Sequence, residues 1–222
     1  MTRSNGQSAR CEPPVFDRAF QQRLDELLLW RRDVRRFESA PVPADEMEGL
    51  LEAANLAPSV GLSQPWRFVL VEDAERRRAV RDNFRKCNAA ALAERSGKEA
   101  AHYASLKLAG LDEAPVHLAA FCDEQTEQGR DLGRKTMPEM LRYSVVAAVQ
   151  NLWLAARSRG IGVGWVSILE PKTIVHILEV PAEWRLVAYL CIGYPQEEHI
   201  DPELERHRWE RRRGVDEMVT RR

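Results

Sequence analysis

No Gly-x-Gly-x-x-Gly follows an apolar run in this 222-residue sequence, and no Walker phosphate loop occurs anywhere in it. Neither a Rossmann dinucleotide site nor a Walker nucleotide site therefore has sequence support. Gly-x-Ser-x-Gly and His-Glu-x-x-His are missing too, which removes the hydrolase elbow and the zincin signature. The four cysteines, at 11, 87, 122 and 191, form no Cys-x-x-Cys pair and share no metal-ligand spacing with the five histidines. They read as reduced thiols of a cytoplasmic protein, and no metal is expected. A dominant charge sign is also lacking: 33 basic residues face 34 acidic ones, for a formal net charge of −1. No whole-chain footprint for nucleic acid follows from that balance. No run nears the roughly 18 apolar residues of a membrane span. The opening MTRSNGQSARCEPP has no apolar stretch behind its basic residues, so it does not read as a secretory signal. Neither membrane nor nucleic acid is expected as a partner.

What is present is globular: 44% hydrophobic and 30% charged residues, enough for one sizeable core. Residues 1–15 are polar and read as loosely ordered, and 16–222 as one domain. Phe20, Leu24, Leu27 and Leu28 have helical spacing, so 16–30 reads as a helix. A second helix follows between Pro43 and Pro58, with Asp45 and Glu46 at its positive end. Charged helical sequence fills 74–112, broken near Ser96 and Gly97. A long helix over 138–159 has so little charge in its middle that burial nearly all round is expected. A short helix starts at Pro171. Apolar runs at 66–73, 116–123, 163–169 and 185–195 read as strands. Such alternation implies an α+β sandwich around one central sheet. The tail, 196–222, is charged and shows no packed period.

Three stretches carry candidate chemistry. The first, WRRDVRRF, sets Asp33 among Arg31, Arg32, Arg35 and Arg36 just after an apolar helix. It is either a solvated, self-neutralising turn or an anion site with an acid built in. The second, NLAPSVGLSQPW, sets a turn of small residues between two prolines. It suits contact with a flat polar ring, or a plain connection from helix to strand. In the third, QNLWLAARSRGIGVGWVSIL, Gly160, Gly162 and Gly164 bring helix and strand close. Period two then puts Trp165 and Ser167 on one face of the strand. A serine in so apolar a strand needs a partner.

Taken together and in this order, RRDVR, APSVGLSQPW and GVGWVS resemble the nitroreductase-like flavoprotein family. YASLKLAG, LGR before PEM, and YSVVAAVQNLWLAAR narrow the resemblance to a branch that consumes its flavin. The resemblance covers nearly all of the chain after residue 20. It implies an intertwined homodimer with FMN at the interface, a lid at about 94–111 and a C-terminal arm at about 196–222. It also implies that Arg31, Arg32 and Arg35, aided by Arg212, bind the FMN phosphate. Pro58, Ser59, Gly61 and Gln64 would border the isoalloxazine, with Gly164, Trp165 and Val166 along its edge. Asp33 stands where ordinary reductases have serine, and would act as acid/base with Ser167 as an orienting hydroxyl. The nearby arginines should keep Asp33 ionised. The implied reaction is oxygen-dependent fragmentation of reduced FMN to 5,6-dimethylbenzimidazole and erythrose 4-phosphate, a step of cobalamin biosynthesis. Reduced FMN would come from a separate flavin reductase. The family's alternative is an NAD(P)H-dependent nitro- or quinone reductase that keeps its FMN. The sequence departs from the family at Ser63, where a bulkier residue is expected, and at RRRGV around Arg212.

Overall fold

The computed structural model describes residues 12–222. Most of the loosely ordered N-terminus expected over 1–15 therefore lies outside the described residues. Four strands form one antiparallel sheet: β1 (Trp66–Leu70), β2 (Val116–Asp123), β3 (Gly162–Val166) and β4 (Trp184–Gly193), in the order β1-β2-β4-β3. Alternation sorts their side chains into two cores. Leu118, Ala120, Leu190 and Ile192 face the layer of α2 (Ala44–Asn55) and α5 (Met140–Ser158). Ala119, Phe121, Tyr189 and Cys191 face the layer of α3 (Ala74–Ala93) and α6 (Pro171–Ile177). The fold is thus α+β, with helices on both faces of the sheet.

Local rules account for the helix starts. Asp17 caps α1 (Arg18–Trp30) by accepting from the Phe20 N–H at 2.8 Å, and Asp73 caps α3 by accepting from the Arg76 N–H at 2.8 Å. Pro171 occupies the first turn of α6, where no N–H is missed. Gly160 ends α5 with φ +72°, a conformation that costs a side chain dearly.

Two faces stay uncovered. No residue of α1 is buried, and Phe20, Leu28 and Trp30 remain exposed on it. The expectation that α5 is buried nearly all round holds for one face only. Leu141, Val145, Ala148 and Leu152 are inside, whereas Tyr143 and Val146 are exposed.

After α1 the chain turns extended and lies along the free edge of β3. Asp33 bridges Val163, the Val34 N–H donates to the Val163 carbonyl at 3.0 Å, and the Glu38 N–H donates to the Tyr194 carbonyl at 2.8 Å. The glycines of GVGW serve this contact rather than a helix–strand approach. A Cβ on Gly164 would stand 2.1 Å from the Val34 carbonyl oxygen, and one on Gly162 would stand 2.8 Å from the Val34 side chain. The remaining helices are α4 (Gly97–Ala104), inside the segment expected as a lid, and α7 (Glu203–Arg206), in the tail. Among the described residues no helix is long and apolar enough to cross a membrane.

Candidate active site

The extended segment 31–36 distributes its charges unequally. Asp33 Oδ1 accepts from the Trp165 N–H at 2.8 Å, and Oδ2 accepts from Arg35 Nε at 3.0 Å. The carboxylate is thereby fixed against β3, with each oxygen keeping a free lone pair. Burial pushes the Asp33 pKa above its ordinary value. Arg35, the Trp165 N–H and Arg31 pull it down without cancelling that rise. Arg35 and Arg31 do lower it, as opposite charges should, but desolvation outweighs them and the net shift is upward.

The four arginines divide by partner. Arg36 is spent on structure, donating to Glu203 at 2.8 Å and Glu197 at 3.1 Å. Arg35 donates from Nη1 to the Lys107 carbonyl at 2.9 Å, besides holding Asp33. Arg31 lies over the Trp153 ring, 4.9 Å from its centroid, and Trp153 Nε1 donates to the Arg32 carbonyl at 3.2 Å. That indole, which no sequence motif singles out, sets both residues in place. Burial lowers the pKa of Arg31 and of Arg32, and the charge of Arg212 lowers both further. Arg32 donates to the Leu29 carbonyl, yet its Nε is buried without a partner. Arg32 is thus crowded by Arg31 and Arg212 while one of its buried donors is unfilled, a cluster whose chemistry suits an anion.

The APSVGLSQPW loop is strained. Gly61, Leu62 and Gln64 have φ of +58°, +57° and +40°. Left-handed leucine and glutamine cost energy and persist only where the surroundings hold them. The Ser144 hydroxyl of α5 accepts from the Val60 N–H at 3.1 Å, and Ser59 Oγ accepts from the Gln64 N–H at 3.1 Å. The Gln64 carboxamide donates to Asn55 Oδ1 at 3.2 Å and accepts from Gln128 Nε2 at 3.2 Å. Gln128 also donates to the Leu62 carbonyl at 2.8 Å. Pro58 is exposed, while Ser63 is buried with its hydroxyl unpartnered. Asn55, Gln128 and Ser144 were not foreseen. No sequence pattern links residues so far apart.

Gly164, Trp165 and Val166 lie on β3, beside Asp33. Ser167 does not lie in the strand. The strand ends at Val166, and Ser167 is exposed one residue beyond. The buried hydroxyl expected there, with its need for a partner, is corrected: solvent satisfies it. The described cysteines, Cys87, Cys122 and Cys191, are free. Burial pushes the Cys122 thiol up to about 12, so it stays protonated and inert.

The nitroreductase family model matches residues 28–194, which span the acid, the loop and β3. The chain belongs to the nitroreductase family. It is an enzyme of oxidoreductase type. It is 58% identical over 200 residues to a 5,6-dimethylbenzimidazole synthase of Rhodospirillum rubrum, covering 90% of this chain and 95% of that one. A second 5,6-dimethylbenzimidazole synthase, from Rhodobacter capsulatus, is 40% identical over 195 residues, covering 88% and 94%. Among solved structures, oxidized iodotyrosine deiodinase bound to FMN and 3-iodo-L-tyrosine superposes with a TM-score of 0.67 at 27% identity, covering 79% of this chain and 91% of that one.

Proposed function

We propose that the chain makes 5,6-dimethylbenzimidazole, the lower ligand of cobalamin, by oxygen-dependent fragmentation of reduced FMN, with erythrose 4-phosphate as the second product. The observation that carries this is the carboxylate of Asp33, fixed between the Trp165 N–H and Arg35 where family reductases have serine. The relatives' shared name sets the product.

Arg31, Arg32 and Arg212 hold the FMN phosphate, and the unfilled Arg32 Nε is a donor waiting for it. Pro58, Ser59, Gly61 and Gln64 border the isoalloxazine, and Gly164 to Val166 run along its edge. Reduced flavin, when bound, supplies both the electrons for dioxygen and the carbon atoms of the product. Breaking the ribityl chain requires protons to be moved near C1′ and C2′, and Asp33 moves them. A pKa raised by burial brings a carboxyl nearer the working pH, where proton transfer is most effective. A positioned acid or base contributes on the order of a hundred- to ten-thousand-fold. The Ser167 hydroxyl, exposed just past the end of β3, orients the reacting groups by hydrogen bonding to them. Segment 94–111 covers the site and keeps water out. A second copy packs on the bare faces of α1 and α5, and a separate flavin reductase supplies reduced FMN.

The test incubates the purified protein with chemically reduced FMN in air, beside Asp33→Asn, and measures dimethylbenzimidazole by mass spectrometry. Product from wild type, with at least a hundredfold loss in the variant, is expected. If wild type returns only oxidised FMN and peroxide, the synthase reading fails, and rapid NAD(P)H oxidation would then mark a reductase.

A further inference from the structure

We propose that Trp153 is a positioning residue for phosphate recognition: its indole aims Arg31 and Arg32 at the flavin 5′-phosphate, so that the preference for FMN over riboflavin runs through it. The proposal deepens the assignment of those arginines to the FMN phosphate and rests on it.

Trp153 sits on α5 and is 7% exposed. It reaches a segment more than 120 positions earlier through two contacts of different kinds. Its ring face carries Arg31, whose guanidinium carbon stands 4.9 Å from the centroid, and its Nε1–H donates to the Arg32 carbonyl at 3.2 Å. The first contact orients a side chain, and the second fixes the peptide from which its neighbour springs. A guanidinium stacked on a ring offers its flat face to the π cloud and keeps its N–H donors, which point outward in its own plane. Among the described residues no carboxylate or carbonyl accepts from the Arg31 side chain, whereas Arg35 and Arg36 donate to Asp33, Lys107, Glu197 and Glu203. Arg31 is thus held without its donors being used. Arg31 and Arg212 also repel, and the electron-rich ring face offsets part of that cost. The indole is itself restrained by Trp165 of β3, whose ring centroid is 6.3 Å away and whose N–H holds Asp33. The phosphate end and the acid are therefore set against the same strand. Leucine at 153 would fill the core yet make neither contact, and phenylalanine would keep the ring face without the donor.

The test titrates full-length wild type, Trp153→Phe, Trp153→Leu, Arg31→Gln and the double variant Trp153→Leu/Arg31→Gln with oxidised FMN and with riboflavin, the same flavin without its phosphate. Wild type is expected to bind FMN at least tenfold more tightly than riboflavin. Trp153→Phe loses the Nε1 bond and about threefold in FMN affinity. Trp153→Leu loses the ring face as well, and roughly tenfold or more. Riboflavin affinity changes less than about twofold in both. In the Arg31→Gln background the further loss from Trp153→Leu shrinks to about threefold, the part carried through Arg32. Trp153→Leu also removes core volume, so Trp153→Phe carries the comparison if the leucine variant does not fold. Equal losses for the two flavins, an unchanged FMN affinity, or full additivity with Arg31→Gln overturns the proposal, since a merely structural tryptophan would give one of these. Wild type binding both flavins alike overturns it together with the phosphate assignment beneath it. No readout uses turnover, so failure of the synthase reading would show as missing product with the flavin preference intact.

Discussion

Gly164 is the position where one methyl group should separate the fold from the chemistry. An alanine Cβ there would stand 2.1 Å from the Val34 carbonyl oxygen, and that neighbour is backbone, not a side chain that can swing away. An ordinary close carbon–oxygen contact is about 3.3 Å, so segment 33–35 must retreat by roughly 1 Å. The retreat strains the bond from the Val34 N–H to the Val163 carbonyl and the bond from the Trp165 N–H to Asp33. Overpacking costs about 1–3 kcal/mol, and one weakened backbone bond adds about 1 kcal/mol. A total near 3 kcal/mol lowers the melting temperature of a chain this long by roughly 6–12 °C. The catalytic loss is larger, because a 1 Å misplacement of a reacting group costs about a hundredfold. Thermal unfolding and the dimethylbenzimidazole assay on Gly164→Ala, run well below its melting temperature, test both figures. Full turnover with an unchanged melting temperature would refute the close approach of segment 33–35 to β3, and with it the placement of Asp33.

Two further outcomes follow from buried polar groups away from Asp33. His117 is 2% exposed and meets the Tyr189 hydroxyl at 3.0 Å. Burial, helped by the charges of Arg77 and Arg81, pushes its pKa down to about 4 against a backbone hydrogen bond to Leu111. The unfolded chain thus binds the proton first on acidification. The stability tied to neutral His117 is fully present above about pH 6.5 and is lost as pH falls to about 4, in total on the order of 3 kcal/mol. Urea unfolding at pH 7.5 and 4.5 should show that drop in wild type but not in His117→Gln, and equal drops in both would count against it. Ser63 buries a hydroxyl without a partner, so Ser63→Ala should leave stability unchanged or raise it by up to about 1 kcal/mol. A destabilised Ser63→Ala in calorimetry would mean that the hydroxyl does have a partner.

Much of the frame is legible in the sequence because it rests on local rules. Strand β2 was expected at 116–123 and occupies Val116–Asp123, since an unbroken apolar run between polar turns has few other uses. The break near Ser96 and Gly97 separates α3 from α4, because Ser96 and a left-handed Gly97 suit a helix start and not its middle. What sequence left out is what depends on distance. Trp153 organises Arg31 and Arg32 from more than 120 positions away, and Ser144 holds the loop at Val60 across 84. The end of β3 was overextended: Ser167 keeps the period-two pattern, but the chain parts from β4 after the Val166–Tyr189 pair, although β4 itself extends back to Trp184. The use of the glycines was misjudged for the same reason. Their neighbour, Val34, lies far off in sequence, in a segment with no period of its own.

The balance at Asp33 shows why counting charges misleads. Four guanidinium groups within three residues suggest a carboxyl held far below its usual pKa. Only Arg35 donates to Asp33 directly, however. Arg31 is drawn over the Trp153 ring, and Arg36 is drawn away to Glu197 and Glu203. Attraction falls with distance and with competing partners, whereas desolvation grows with every neighbour that displaces water from the carboxylate. Packing against β3, with Gly164 allowing the approach, therefore decides the sign, and the pKa rises. In the proposed reading the remaining cations, Arg31 and Arg32 with Arg212 of the tail, are the ones that take the phosphate. A single stretch of chain thus serves two opposite ends. Burial raises the pKa of its acid, while its arginines gather beside that acid as the cations proposed to hold an anion.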